Sequence, residues 1–150
     1  MRLTTGVSVF LAAALAAAFH VRRSYVVVTV SGRSMSPTLH DGDRIVVRRR
    51  TADRLSRGDV VVLRPPDITG DYAPVVEGAW NVKRVAALPG QPVPAGVTRR
   101  DGQPAVDAVP AGSLVVLGDN PDGIDSRQRG FFPADRLLGV MVRRLGGERA

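Results

Sequence analysis

Beyond residue 24 the chain is punctuated at close intervals by short runs of β-branched residues, and this rhythm limits the fold more than any other feature. The runs are YVVVTV (25–30), RIVVRR (44–49), DVVVLR (59–64), WNVKRV (80–85), SLVVLG (113–118) and GVMVRR (139–144). Turn-forming stretches stand between them: His40-Asp41-Gly42-Asp43, Arg57-Gly58-Asp59, Pro65-Pro66, Leu88-Pro89-Gly90 and Asp119-Asn120-Pro121. β-Branched side chains lose rotamer freedom in a helix and pack well on a pleated surface, whereas Gly, Pro, Asn and Asp supply turn geometry. The pattern predicts a mainly β domain over residues 24–150, built as a coiled sheet or barrel. The Pro-, Gly- and Ala-rich stretch from Gly90 to Gly112 reads as a hairpin excursion at the surface. At 150 residues the chain has room for one such domain and little more.

The first residues are different. Leu3 to Val21 carries no formal charge over 19 residues. As a helix it is about 28 Å long, close to the hydrocarbon thickness of a bilayer. The expectation is one N-terminal transmembrane helix over residues 1–23; a cleaved secretory signal and a buried soluble helix are the alternatives. Arg22 and Arg23 follow the apolar stretch while only Arg2 precedes it, which opposes an orientation with the C-terminal part outside. The run Arg48-Arg49-Arg50, with Arg54 and Arg57, faces either solvent or anionic lipid near the anchor.

Composition excludes several chemistries. There is no cysteine, so disulfides, thiolate nucleophiles and thiolate metal sites are absent. His20 and His40 are the only histidines, too few for three histidines on zinc, and no metal or cofactor is expected. The +7 net charge suits an anionic membrane surface or nucleic acid. No helix-turn-helix pattern or aromatic-basic interleaving supports the second, so no nucleic-acid partner is expected. Of the 21 basic residues all but Lys83 are arginine, a skew that codon bias largely explains. A lysine kept against it is still notable, because a buried amine can lose its proton and act as a base while a guanidinium cannot.

Val30-Ser31-Gly32-Arg33-Ser34-Met35-Ser36-Pro37-Thr38-Leu39 comes directly off an apolar run and surrounds Ser34 with small residues. A nucleophilic serine needs that openness and nearby backbone N–H groups for the oxyanion; an ordinary Ser-rich turn has the same composition. His20 lies in the apolar segment and His40 in a polar turn, so neither is a good activating base. A Ser-Lys pair needs only one uncharged amine, and Lys83 sits among apolar neighbours on a predicted strand.

Ser34-Met35-Ser36-Pro37-Thr38, then Lys83-Arg84 with Leu88-Pro89-Gly90, then Gly118-Asp119-Asn120 with Asp125-Ser126-Arg127 and Gly130 resemble the type I signal peptidase family, in a minimal short form. With the Arg57-Gly58-Asp59-Val60 strand start, the resemblance spans residues 30 to 139. It implies a membrane-bound serine endopeptidase that removes signal or leader peptides from exported preproteins after small, Ala-x-Ala-like residues. Ser34 would be the nucleophile and neutral Lys83 the general base. The Ser34 N–H would serve as one oxyanion donor, and Gly32 occupies the position where some members carry a second, a serine. Gly118, Asp119 and Asn120 would shape the approach to Lys83, with Asp125 and Arg127 an ion pair beneath the site. Val28, Val30, Met35, Leu39, Ile45 and Val82 would line the substrate pockets, or serve only as core. The implied setting is the cell membrane, single-pass, with a monomeric catalytic domain on the extracytoplasmic side.

The sequence departs from the family pattern in two places. Many members carry a serine two residues before the Asp of the last box, where it orients the lysine. Gly123 stands there, with Ser126 a candidate substitute. Only 34 residues separate Lys83 from Gly118, which leaves no space for the large extra β domain of some members. Two other functions fit the same motifs: a peptidase dedicated to one precursor, of propeptide or pilin type, and a non-catalytic membrane-tethered binding module.

Overall fold

The computed structural model describes residues 14–16, 18–64, 80–97 and 106–146. The domain is an antiparallel sheet of strands β1 (Tyr25–Thr29), β2 (Arg44–Arg48), β3 (Val60–Leu63), β4 (Asn81–Ala87), β5 (Ser113–Leu117), β6 (Phe132–Pro133) and β7 (Leu137–Leu145). Each of the β-branched runs forms a strand, and among the described residues the two-residue β6 is the one strand the sequence pattern does not announce. The order across the sheet is β1-β2-β7-β3-β4-β5-β6.

The last strand therefore lies in the middle. β7 pairs with β2 on one side and β3 on the other, joining the half of the sheet that leads into Ser34 to the half that carries Lys83. Gly139 sits where this joining is tightest: a Cβ there would collide with the Arg48 carbonyl.

Period-two alternation places two core layers on opposite faces. On β3, Val62 packs into a cluster with Val28, Val30, Met35, Ile45 and Val82, while Val61 and Leu63 join Val85, Leu114, Val116 and Phe132 on the other side. Because both faces of β3 are covered, the run Val60–Leu63 is apolar throughout rather than alternating.

Two further expectations meet the structure only in part. The flanks of the Gly90–Gly112 excursion pair as hairpin arms, with Gly90 N–H donating to Val109 O at 2.8 Å and Val109 N–H to Gln91 O at 2.9 Å. Residues 98–105 lie outside the described residues. Residues 14–16 and 18–24 are helical, but no helix among the described residues is long and apolar enough to cross a membrane. Residues 1–13 and 17 of the expected anchor lie outside them.

Candidate active site

Ser34 sits in a loop closed at its base by backbone hydrogen bonds. Val30 N–H donates to Asp43 O at 2.8 Å and Gly42 N–H donates to Val30 O at 2.9 Å. Inside the loop, Ser36 N–H donates to Arg33 O and Leu39 N–H to Met35 O. Met35 and Leu39 are 0% and 1% exposed, so two apolar plugs fix the turn to the core and leave Ser34 half-buried beside exposed Arg33. Gly32 has φ +84°, a left-handed conformation that favours glycine. Its N–H donates to Asp41 Oδ1 at 2.7 Å. That donor is already engaged, whereas the Ser34 N–H has no hydrogen-bond partner among the described residues.

This loop is steadied by Asp43, a residue that the sequence motifs do not mark. Asp43, 3% exposed, accepts from His40 N–H and from Arg144 Nη2, both at 2.8 Å. Arg144 lies 101 residues further along, on β7, so nothing local in the sequence announces the pairing. The His40 side chain is 60% exposed and His20 contacts Ser24 Oγ at 3.5 Å, so neither histidine belongs to the site.

Lys83 lies on β4 opposite Val61 of β3, between Val82 and Arg84, and is 5% exposed. Burial disfavours the charged ammonium and lowers its pKa. Asp125 opposes that shift, and the positive charges of Arg127 and Arg129 reinforce it. No hydrogen bond joins Ser34 Oγ to Lys83 Nζ among the described residues. Catalytic hydrogen bonds are often long in unliganded sites and tighten when substrate binds.

What the two side chains share is the segment 118–127. Asn120 N–H donates to Ser34 O at 3.1 Å, and Asn120 Nδ2 donates to Arg33 O at 3.2 Å. A Cβ added to Gly123 would lie 3.4 Å from Ser34 Cα and Cβ. Asp125, acting on Lys83 through its charge, is fully buried. It accepts from Gly118 N–H at 2.7 Å and from Arg127 Nη2 at 2.6 Å, and it caps the short helix Ser126–Arg129 with Gln128 closing the capping box. Burial pushes the Asp125 carboxyl up, but hydrogen bonds from the Arg127 side chain, Arg127 N–H and Gly118 N–H outweigh it and hold the group below the ordinary carboxylate range. The expected Asp125–Arg127 ion pair is therefore present. Ser126 Oγ accepts from Val116 N–H at 3.0 Å and makes no hydrogen bond to Lys83 among the described residues.

A second ion pair ties the boxes together. Arg84 grips Asp119 with both arms, Nε to Oδ1 at 2.8 Å and Nη2 to Oδ2 at 2.6 Å, and donates through Nη1 to Gly58 O. Its hydrogen bond, with help from Thr38, holds the Asp119 carboxyl below its ordinary range. Lys83 and Arg84, on opposite strand faces, thus reach the same 118–127 segment by different routes. Val28, Val30, Met35, Leu39, Ile45 and Val82 belong to one buried cluster, which Met35 joins from the position next to Ser34 in the chain. No group of three or more His, Asp or Glu able to hold a metal occurs among the described residues.

The sequence profile of the family described as signal peptidase, peptidase S26 matches residues 3–99 and 95–145. The chain belongs to this family. It is 35% identical over 125 residues to the probable signal peptidase I-1 of Synechocystis sp., an alignment covering 71% of this chain and 63% of that protein. It is 31% identical over 132 residues to signal peptidase I of Leptolyngbya laminosa, covering 75% and 64%. Signal peptidase I of Bacillus licheniformis is 41% identical over 66 residues, covering 43% and 31%. The chain thus spans just under two thirds of the length of the first two signal peptidase relatives.

Proposed function

We propose that this protein is a serine endopeptidase that removes signal or leader peptides from exported preproteins, with Ser34 as nucleophile and neutral Lys83 as general base. The observation that carries the reading is the chain's one lysine, buried, lowered in pKa and under the charge of Asp125, whose segment packs on Ser34. Membership of the signal peptidase family supports the substrate class.

Lys83 Nζ takes the Ser34 hydroxyl proton as Oγ attacks the scissile carbonyl carbon. The negative charge that develops on the carbonyl oxygen meets the Ser34 N–H. Collapse breaks the C–N bond, and the ammonium of Lys83 returns the proton to the leaving amine. Water, deprotonated by Lys83, then releases the acyl group and regenerates Ser34. The apolar cluster that Met35 joins would form the floor of pockets that accept small side chains. The domain acts at the membrane, tethered by the segment 1–23, on the extracytoplasmic side.

The test is cleavage of a peptide carrying Ala-x-Ala before the scissile bond, by the native chain and by Ser34→Ala and Lys83→Ala. Both variants should fold and be inactive. Native-like turnover in either one overturns the dyad.

A further inference from the structure

On the far side of β2 from the serine loop, the chain leaves the sheet through Arg48-Arg49-Arg50-Thr51 into a single 3-10 turn, Ala52–Arg54. Arg48, Arg49, Arg50, Thr51, Asp53 and Arg54, together with buried Leu138 of β7, line an open cavity of about 410 Å³. We infer that this cavity is a binding site for a phosphate group, taken either from an anionic phospholipid headgroup or from a soluble phosphate ester. The inference is independent of the peptidase reading.

The backbone that carries these arginines is held in place. β7 passes directly beneath Arg48 and Arg49, an approach that only a glycine at 139 permits, since a Cβ there would also lie 2.9 Å from Arg49 Cα. Arg49 N–H donates to Ser24 O at 2.8 Å, and the Arg50 side chain donates through Nη1 to Arg54 O at 3.4 Å. Four arginines and one carboxylate, Asp53, line the cavity, with the Arg48 guanidinium 6.0 Å from the Tyr25 ring centroid. That carboxylate is already engaged by the Thr51 hydroxyl and lies 4.0 Å from Arg54 Nε. Guanidinium forks match phosphate oxygens in pairs, and converging forks hold a multiply charged anion where one arginine would not.

Position adds the second argument. Ser24, whose carbonyl holds Arg49, ends the helical segment that leads into β1, and exposed Arg22 and Arg23 precede it. The cavity therefore opens beside the residues that follow the apolar N-terminal stretch, where a lipid headgroup would be met.

The experiment uses the full-length chain. Inorganic phosphate and glycerol phosphate are titrated while the side-chain resonances of the cavity arginines are followed by NMR. In parallel, flotation compares phosphatidylcholine vesicles with and without phosphatidylglycerol. Variants are Arg49→Gln/Arg50→Gln/Arg54→Gln, the same positions to Lys, Arg49→Gln/Arg50→Gln, and Arg57→Gln/Arg64→Gln, which removes the same two charges as that double variant but outside the cavity. The inference expects saturable shifts at the four arginines. It also expects binding to weaken about fivefold for each cavity arginine made neutral. The Lys variant should recover only part of this, and Arg57→Gln/Arg64→Gln should change little. Shifts with the soluble esters but no preference for phosphatidylglycerol identify a soluble ligand; a vesicle preference that the esters compete identifies the headgroup. Absence of saturable shifts, or equal losses from the Arg57/Arg64 pair, overturns the inference.

Discussion

Gly118 and Ser34 approach so closely that a Cβ on Gly118 would stand 2.5 Å from the Ser34 carbonyl oxygen. Backbone on both sides makes that contact, so no side chain can swing away to relieve it. Gly118→Ala must move the serine turn or the 118–127 segment. The expected outcome is a loss of about 1–3 kcal/mol of stability and a fall of about 100-fold in kcat. KM should change far less. Thermal melting alongside single-peptide kinetics checks both parts.

The charges around Lys83 give predictions of opposite sign. Asp125 favours the ammonium and Arg129 disfavours it. Arg129→Gln removes a repelling charge, raises the Lys83 pKa and moves the acid limb of the pH–rate profile to higher pH. Asp125→Asn removes an attracting charge and moves that limb to lower pH. Because Asp125 is fully buried and paired with Arg127, this second change also costs about 3–5 kcal/mol of stability. Limbs that shift together, or in the reverse order, contradict the role of Lys83 as base.

Arg84 and Asp119 form a forked pair, but Arg84 is 37% exposed, so solvent screening reduces its worth. Replacing either by Ala should cost about 1–2 kcal/mol, with strong coupling in the double-mutant cycle. The Asp119 carboxyl is held below its ordinary pKa in the folded state. Its contribution is therefore fully present above the unfolded carboxylate pKa and is lost as pH falls through the lower folded value. Denaturation of native and Asp119→Asn protein should diverge at neutral pH and converge in acid.

Asp43→Ala leaves the Arg144 guanidinium and His40 N–H without their shared acceptor. About 1–3 kcal/mol of stability should be lost, because Asp43 is buried but Arg144 is 43% exposed and solvent screening reduces the worth of the pair. Arg144→Lys should recover part of the loss caused by Arg144→Ala, since one donor can still reach Asp43. Chemical denaturation measures each.

Much of this was legible in the residues, for identifiable reasons. Strands were readable because runs such as Val60–Leu63 are β-branched and bounded by turn residues. Ser34 and Lys83 stood out through a small-residue turn and a solitary lysine. The supports did not stand out. Arg144 reaches Asp43 across 101 residues, and Arg84 reaches Asp119 across 35, so neither pair leaves a local signature. The central place of β7 is equally silent, because a C-terminal strand carries no mark of which neighbours it will separate. β6 was missed because two residues, Phe132 and Pro133, are too few to form a pattern.

The most direct test of the central claim is the titration of the Lys83 side chain by heteronuclear NMR. Ser34→Ala protein serves for this, so that no turnover occurs; with one lysine in the sequence the signal needs no assignment. The account predicts an amine that loses its proton well below the ordinary lysine range. An amine that stays protonated up to that range would contradict it, whatever the similarity of the sequence.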